Sequence, residues 1–225
     1  MKVVCIVPSA GKGKRLGSGQ DKPFVTLGGK PILANTLEAL ESCKFIDDII
    51  IVVSGNKLKA CSELVKKYKF RKVYAIVRGG KKRFDSVKNG LSKVQNANFI
   101  LIHDGARPFI DRELMKKVFV AAKKYGAALC ATASKQTLKS VSGNLFIKET
   151  PERKFIWEAQ TPQAFKKDLI TKAYKKSKNR NATDDSYLVE KLGHKVKIVK
   201  GSYRNIKITT PEDLILARAL IKKGK

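Results

Sequence analysis

Val3-Val4-Cys5-Ile6-Val7-Pro8-Ser9-Ala10-Gly11-Lys12-Gly13-Lys14-Arg15-Leu16-Gly17 is the stretch that decides how this chain folds. Five consecutive apolar residues predict a strand covered on both faces, as in a parallel sheet, rather than one with a wet side. The run then breaks into a turn carrying glycines and cations. Backbone N–H groups in such a loop can approach a phosphate closely, and Lys or Arg side chains neutralise it. Two familiar loops are excluded. A dinucleotide fingerprint needs glycine where Leu16 stands and an acid closing the second strand, where the chain has Ser54. A P-loop needs Gly-Lys-Ser/Thr, but Gly17 is followed by Ser18-Gly19. Taken alone, the loop fits an ordinary strand-to-helix turn equally well.

Working outward, Ile49–Val53, Val73–Val77, Phe99–Ile102 and Ala127–Thr132 repeat the same apolar strand pattern. Helix-period segments fall between them at Ile32–Ser42, Lys57–Tyr68 and Phe84–Val94, and another follows Asp111, a suitable N-cap. This alternation predicts an α/β fold: a Rossmann-like, mostly parallel sheet covered by helices on both faces. The rhythm breaks after Thr132. Thr137–Ile147 alternates polar and apolar residues around Ser142-Gly143-Asn144, which predicts a β-hairpin arm protruding from the sheet. The organisation expected is a single domain over 1–225 with an arm subdomain at about 133–156. Helices resume at Lys166–Lys176 and Asp184–Leu192, followed by a strand at Val196–Val199. Thr210 as cap, Pro211 and Asp213 open a last helix.

Charge narrows the partners. The chain has 48 Lys+Arg against 19 Asp+Glu, a formal +29, which suits nucleic acid, acidic membranes or phosphorylated substrates. The cations are spread along helical faces rather than clustered, and lysines outnumber arginines 38 to 10. Base and phosphate forks favour Arg, so a solvated lysine-rich surface is the preferred reading over a nucleic-acid site. No apolar run approaches the ~20 residues of a membrane span, and the N-terminus turns polar too early for a signal peptide. A cytoplasmic protein is expected. Cys5, Cys43, Cys61 and Cys130 have no short metal-ligand spacing, so reduced structural thiols are expected.

Three further segments carry candidate chemistry. Lys22, in Asp21-Lys22-Pro23-Phe24, can offset charge on a polyphosphate, or can be a solvated lysine before a proline turn. His103-Asp104-Gly105-Ala106-Arg107-Pro108 ends a strand, where open parallel sheets place ligands. Asp104 there can hold Mg²⁺ or a hydroxyl, and Arg107 can grip a phosphate. His103 reads first as a packed histidine, with a base as the alternative. Asn205-Ile206-Lys207-Ile208-Thr209 places one lysine in an apolar strand, which surface alternation explains equally well.

In order and at matching intervals, the chain presents Ala10-Gly11-Lys12-Gly13-Lys14-Arg15, Gly79-Gly80-Lys81-Lys82-Arg83-Phe84-Asp85-Ser86-Val87, His103 to Pro108, Thr161-Pro162-Gln163-Ala164-Phe165, Thr183-Asp184 and Asn205 to Leu214. Over essentially its whole length it resembles the 2-C-methyl-D-erythritol 4-phosphate cytidylyltransferases. The resemblance implies transfer of CMP from CTP to a small polyol phosphate. Arg15, Lys22 and Lys207 would then be catalytic, the first two stabilising the pentacovalent phosphorus and the leaving pyrophosphate. Ala10, Gly11, Gly13, Gly80, Asp85 and Ser86 would shape the CTP pocket. Asp104, Arg107, Thr137, Arg153 and Thr161 would bind the acceptor, with Asp104 also near the metal. Mg²⁺ or another divalent cation is the implied cofactor, and a homodimer through the hairpin arm the implied assembly. No specific nucleic acid and no membrane are expected as partners. Three positions depart from the family pattern: Ser9 where Ala is usual, Gly105 where Ala or Ser is common, and Lys22-Pro23 where Lys-Gln is usual. Ribitol 5-phosphate is the alternative acceptor, and a nucleic-acid-binding α/β protein the alternative of another class.

Overall fold

A computed structural model of the chain describes residues 1–11, 13 and 22–222. Strand β1 (Val3–Pro8) is followed by a small hairpin of β2 (Thr26–Leu27) and β3 (Lys30–Pro31), which leads into α1 (Ile32–Glu41). Then come β4 (Asp48–Val53), α2 (Leu58–Lys67), β5 (Val73–Arg78), α3 (Arg83–Leu91), β6 (Phe99–Ile102), α4 (Arg112–Tyr125) and β7 (Ala127–Ala133). The arm carries β8 (Ser140–Val141) and β9 (Ile147–Glu149). The chain closes with β10 (Trp157–Lys166), α5 (Lys167–Lys176), α6 (Ser186–Glu190), β11 (Lys197–Lys200) and α7 (Pro211–Lys222).

Among the described residues the main sheet has seven strands in the order β11-β7-β10-β6-β1-β4-β5. The fold is the expected α/β architecture, mostly parallel with helices on both faces. Consecutive apolar residues are needed because both faces are covered. Val3, Cys5 and Val7 of β1 pack with Leu33 and Leu37 of α1, Leu64 of α2 and Val118 of α4. Val4 and Ile6 point the other way, to Val87 of α3, Ile170 of α5 and Leu188 of α6. The four cysteines are free and buried, and burial pushes their thiols up, Cys43 to about 11 and Cys61 and Cys130 to about 12. Asp111 caps α4 as expected, its carboxylate accepting from the Leu114 N–H at 2.7 Å. Such a cap contributes about 1 kcal/mol.

Four expectations need correction. Asn205–Thr209 is not a strand: it is irregular chain, tied to the strand-end loop by one backbone bond, Ile208 N–H to Ala106 O at 2.9 Å. Ile208, with Val25, Leu27, Ile32 and Ala217, forms a small third core under α7, and Ile206 packs against it. The second correction is larger. Strand β10 lies inside the sheet, antiparallel to both β6 and β7, over a segment that has no strand signature in sequence. Pro162 cannot donate to a ladder and Thr161 and Gln163 are polar, which hides it. The register breaks between Ala159 and Gln163, and this irregularity accommodates the proline. The hairpin is present but sits later than Thr137–Ile147, with Val141 opposite Ile147 and Ser140 opposite Glu149. The helix expected at Asp184–Leu192 is shorter, Ser186–Glu190, because Asp184 and Asp185 are held by other groups.

The chain leaves β1 toward β4 and β5, then crosses back to β6 on the other side of β1. That reversal opens a crevice beyond the carboxyl ends of β1 and β6, the place where open α/β sheets bind ligands.

Candidate active site

A cavity of about 460 Å³ occupies this crevice. Its floor is the end of β1 with Ser9, Ala10, Gly11 and Gly13, and one wall is Gly80 to Arg83 with Ser86. The opposite wall brings Lys22, Asp104, Ala106, Lys207 and Thr209 together from three separate segments. Close backbone approach shapes the first wall. A Cβ on Gly80 would lie 2.2 Å from the Asp85 Cβ, so only glycine permits the turn into α3. Gly80 N–H donates to Ser86 Oγ at 3.2 Å, and Ser86 in turn donates to Lys82 O.

Asp104 is the acidic centre. Lys207 Nζ lies 2.8 Å from its Oδ2, Arg107 Nε 3.6 Å from the same oxygen and Arg83 Nε 3.6 Å from Oδ1. Burial would raise the Asp104 carboxyl, but Lys207, Arg83 and Arg107 outweigh it and hold it well below the usual carboxylate range. Asp104 is therefore a fixed anion. With Lys22 also in the lining, cations outnumber acids around the cavity, and the surplus suits a ligand with several negative charges.

Beneath Asp104 a chain of hydrogen bonds sets its position. Asp104 N–H donates to Thr161 Oγ1 at 3.0 Å, the Thr161 hydroxyl reaches His103 Nδ1 at 3.1 Å, and His103 Nε2 reaches Arg107 O at 3.1 Å. With Thr161 donating to Nδ1 and Nε2–H donating to the carbonyl, every group in the chain is satisfied by a neutral imidazole. Burial agrees, pushing the His103 pKa down to about 4. His103 is thus the packed histidine, and its ring holds the strand end. Arg107 NH1 donates to Asn205 O at 2.7 Å, and Asn205 Nδ2 donates to Thr161 O at 2.9 Å. These bonds fix the segment that carries Lys207.

The structure brings most sequence-derived candidates together. Ala10, Gly11, Gly13, Lys22, Gly80, Ser86, Asp104 and Lys207 all line the cavity, while Arg107 and Thr161 support Asp104 from below. Lys22 Nζ lies 3.4 Å from Thr209 Oγ1, so the early lysine and the late segment meet. Asp85, on the first turn of α3, lies outside this lining: it accepts the Lys82 N–H at 3.2 Å and the Arg180 guanidinium, whose hydrogen bond holds its carboxyl below the usual range. Thr137 and Arg153 sit on the arm, both exposed and outside this lining, with Arg153 NH1 donating to Lys135 O at 3.3 Å. Arg15 lies outside the described residues.

Sequence reasoning missed Arg83. It stands in the Lys81-Lys82-Arg83 run, which reads as solvated surface, yet its side chain lines the cavity and faces Asp104. Its counter-ion is Asp185, fully buried, bound at 2.9 and 2.6 Å by the two terminal nitrogens. The usable signal was a lone arginine at a helix start amid lysines, since only Arg offers a rigid fork to a carboxylate.

The comparisons with known proteins agree along the whole chain. A family model for 2-C-methyl-D-erythritol 4-phosphate cytidylyltransferase matches residues 3–223. The enzyme of that name from Dehalococcoides mccartyi is 47% identical over all of this chain and 98% of its own length. The one from Clostridium botulinum is 44% identical over 98% of this chain and all of its own. Among solved structures, 4-diphosphocytidyl-2C-methyl-D-erythritol synthase from Anaerococcus prevotii superposes with a TM-score of 0.87 at 36% identity, covering 98% of this chain and 96% of that one. The Thermus thermophilus cytidylyltransferase gives 0.80 at 30% identity, covering 99% and 100%. Fold, cavity and comparisons converge, and the chain belongs to the 2-C-methyl-D-erythritol 4-phosphate cytidylyltransferase family.

Proposed function

We propose that this enzyme transfers CMP from CTP to 2-C-methyl-D-erythritol 4-phosphate, forming 4-diphosphocytidyl-2-C-methyl-D-erythritol and pyrophosphate. The observation that carries the reading is the ionised Asp104 ringed by Lys207, Arg83 and Arg107 beside a glycine-lined floor. An acceptor phosphate oxygen attacks the α-phosphorus of CTP in line, the bond to the bridging oxygen breaks, and pyrophosphate leaves. No covalent enzyme intermediate is required. The protein contributes orientation and positive charge where negative charge builds up. Lys207 sits between Asp104 and the cavity and approaches both the α-phosphate and the attacking phosphate. Lys22, together with Arg15 as the family resemblance implies, stabilises the crowded phosphorus and the departing pyrophosphate. Ala10, Gly11, Gly13, Gly80, Asp85 and Ser86 shape the nucleotide side, while Asp104, Arg107 and Thr161 order the acceptor side.

Among the described residues there is no cluster of three His, Cys, Asp or Glu side chains fit to hold a metal, and the cavity offers the single carboxylate of Asp104. That donor set fits Mg²⁺, which commonly takes one or two carboxylates and fills its shell with water and substrate phosphate oxygens. Bound there, the ion neutralises triphosphate charge. Asp104, whose two oxygens face Lys207 and Arg83, would be the protein carboxylate that holds it.

The arm leads to a homodimer. Leu145, Phe146, Ile147 and Phe155 are 80%, 72%, 63% and 71% exposed, and an isolated two-stranded ribbon is marginal in water. A two-fold pairing covers both arms at once and carries Thr137 and Arg153 toward the partner's acceptor side. The enzyme acts in the cytoplasm on small phosphorylated substrates; among the described residues no helix is long and apolar enough to cross a membrane. Pyrophosphate release from CTP with 2-C-methyl-D-erythritol 4-phosphate, beside ribitol 5-phosphate, tests the function. Faster turnover of the ribitol ester would overturn the acceptor assignment.

A further inference from the structure

Ser9 lines the floor of the cavity, 7% exposed, and its hydroxyl is buried with no hydrogen-bond partner. Two other buried polar atoms among the described residues share that state, Arg107 Nε and Asn205 Oδ1. Each belongs to a larger group that is bonded through another of its atoms, Arg107 NH1 and Asn205 Nδ2. The Ser9 hydroxyl is the whole polar content of its side chain, and a buried hydroxyl left unpaired is costly.

The surroundings show what the hydroxyl can do. Ser9 N–H donates to Val52 O at 2.7 Å, Gly105 N–H to Pro8 O at 3.3 Å, and Thr36 Oγ1 to Gly105 O at 3.0 Å. Both backbones are thereby tied to the sheet, and rotation about the Ser9 Cα–Cβ bond is the freedom that remains. The hydroxyl rests against Gly105: a Cβ there would lie 2.0 Å from Ser9 Oγ. Gly105 therefore provides a seat in which the hydroxyl is sheltered but unsatisfied. Ser9 also lines the cavity, so one rotamer step away from Gly105 can bring it to a ligand.

We infer that Ser9 is a nucleotide-binding residue whose hydroxyl leaves its seat against Gly105 and hydrogen-bonds the ribose of bound CTP. This rests on the proposed function and adds a contact to the same site. The placement follows from the lining. On one side of Ser9, Ala10, Gly79 and Ser86 meet in an uncharged strip against which the base can lie, with Lys81 to Arg83 beyond it. On the other, Gly105 leads to Asp104 and Lys207, the charged surface for the phosphates. The sugar joins base to phosphate and so passes Ser9, and a ribose hydroxyl can both donate to and accept from a serine.

The test is calorimetric binding of CTP and of 2′,3′-dideoxy-CTP to the full chain and to Ser9→Ala. The variant is expected to bind CTP about five- to tenfold more weakly, the effect of one lost hydrogen bond, and the dideoxy nucleotide as the parent does. The double variant Ser9→Ala, Gly105→Ala refills the seat with a methyl group. It should keep the weakened CTP affinity. Unchanged CTP affinity in Ser9→Ala, an equal loss for both nucleotides, or recovery in the double variant would each overturn the assignment. The last would show that the hydroxyl only fills space. Because binding is read without turnover, failure of the proposed reaction would appear separately, as CTP binding with no pyrophosphate release.

Discussion

Arg83 grips Asp185 with both terminal nitrogens, at 2.9 and 2.6 Å, while its Nε faces Asp104 at 3.6 Å. One guanidinium thus links a fully buried acid to the acid at the cavity wall. Burial works against the Arg83 charge, but Asp185 and Asp104 hold it charged. Tyr174 donates to the same buried carboxylate, and the Asp185 and Ser186 N–H groups donate to Gln163 on β10.

Removing the buried acid should therefore leave a desolvated cation. Asp185→Ala is expected to lower stability by about 3–5 kcal/mol, and Asp185→Asn by less, since it keeps an acceptor for the guanidinium. Urea denaturation of both variants checks this. A change within 1 kcal/mol for Asp185→Ala would show that the pair is not buried as described.

Lys22 should act on the transition state more than on ground-state binding. Lys22→Ala is expected to lower kcat roughly a hundredfold, equivalent to about 2.7 kcal/mol of barrier, with a smaller change in KM for CTP. Steady-state kinetics separate the two effects. A kcat within a few-fold of the parent would remove Lys22 from the phosphate-handling role.

Asp104→Asn should lose most activity while melting cooperatively, because the residue supports a cavity wall rather than the core. EDTA should abolish turnover and Mg²⁺ restore it. Persistent turnover in excess EDTA would exclude the metal, and loss of cooperative melting in the variant would make Asp104 a structural residue.

His103 predicts a pH dependence of stability. Its folded pKa, about 4, lies below the ordinary 6.5, so the unfolded chain takes up the proton first as pH falls. Its contribution is intact above pH 6.5, declines between 6.5 and 4, and changes no further below. The total is on the order of 3 kcal/mol. Comparing the parent with His103→Gln over this range, in EDTA, isolates the effect: the variant should show the shallower slope, and equal slopes would rule the histidine out as its source.

Composite sites predict complementation. Mixed Lys22→Ala and Arg153→Ala subunits should regain activity that neither variant has alone, because one of the two sites in a heterodimer carries neither lesion. Confirmed subunit exchange without recovery would place Arg153 outside the partner's site.

Much of this molecule is legible in its sequence where one residue type serves one physical need. The apolar runs of β1, β4 and β6 read directly as strands because both faces are covered. Asp104 reads as a site residue because strand-end charge is a local matter, whereas Gly80 is reached through the family resemblance alone. Strand β10 was hidden because its ladder is set by its neighbours β6 and β7, while its own Pro162 argues against a strand. Arg83 was hidden because its partner lies 102 residues away in the chain. Ser9 was visible as a departure from the family pattern, but its contact with Gly105 exists only once two strand ends lie side by side.

Strand β10 also ties the arm to the cavity through the backbone. It begins at Trp157, at the root of the arm opposite Ala133, and four residues later presents Thr161 to Asp104 and His103. Trp157 to Ala159 pair in register with Ala133 to Ala131, and the irregularity between Ala159 and Gln163 is already taken up by Pro162. A residue inserted here would either push the arm out of phase or turn Thr161 away from His103. The arm can therefore grow or shrink at its tip around Ser142 and Gly143, while its root remains a ruler for the cavity.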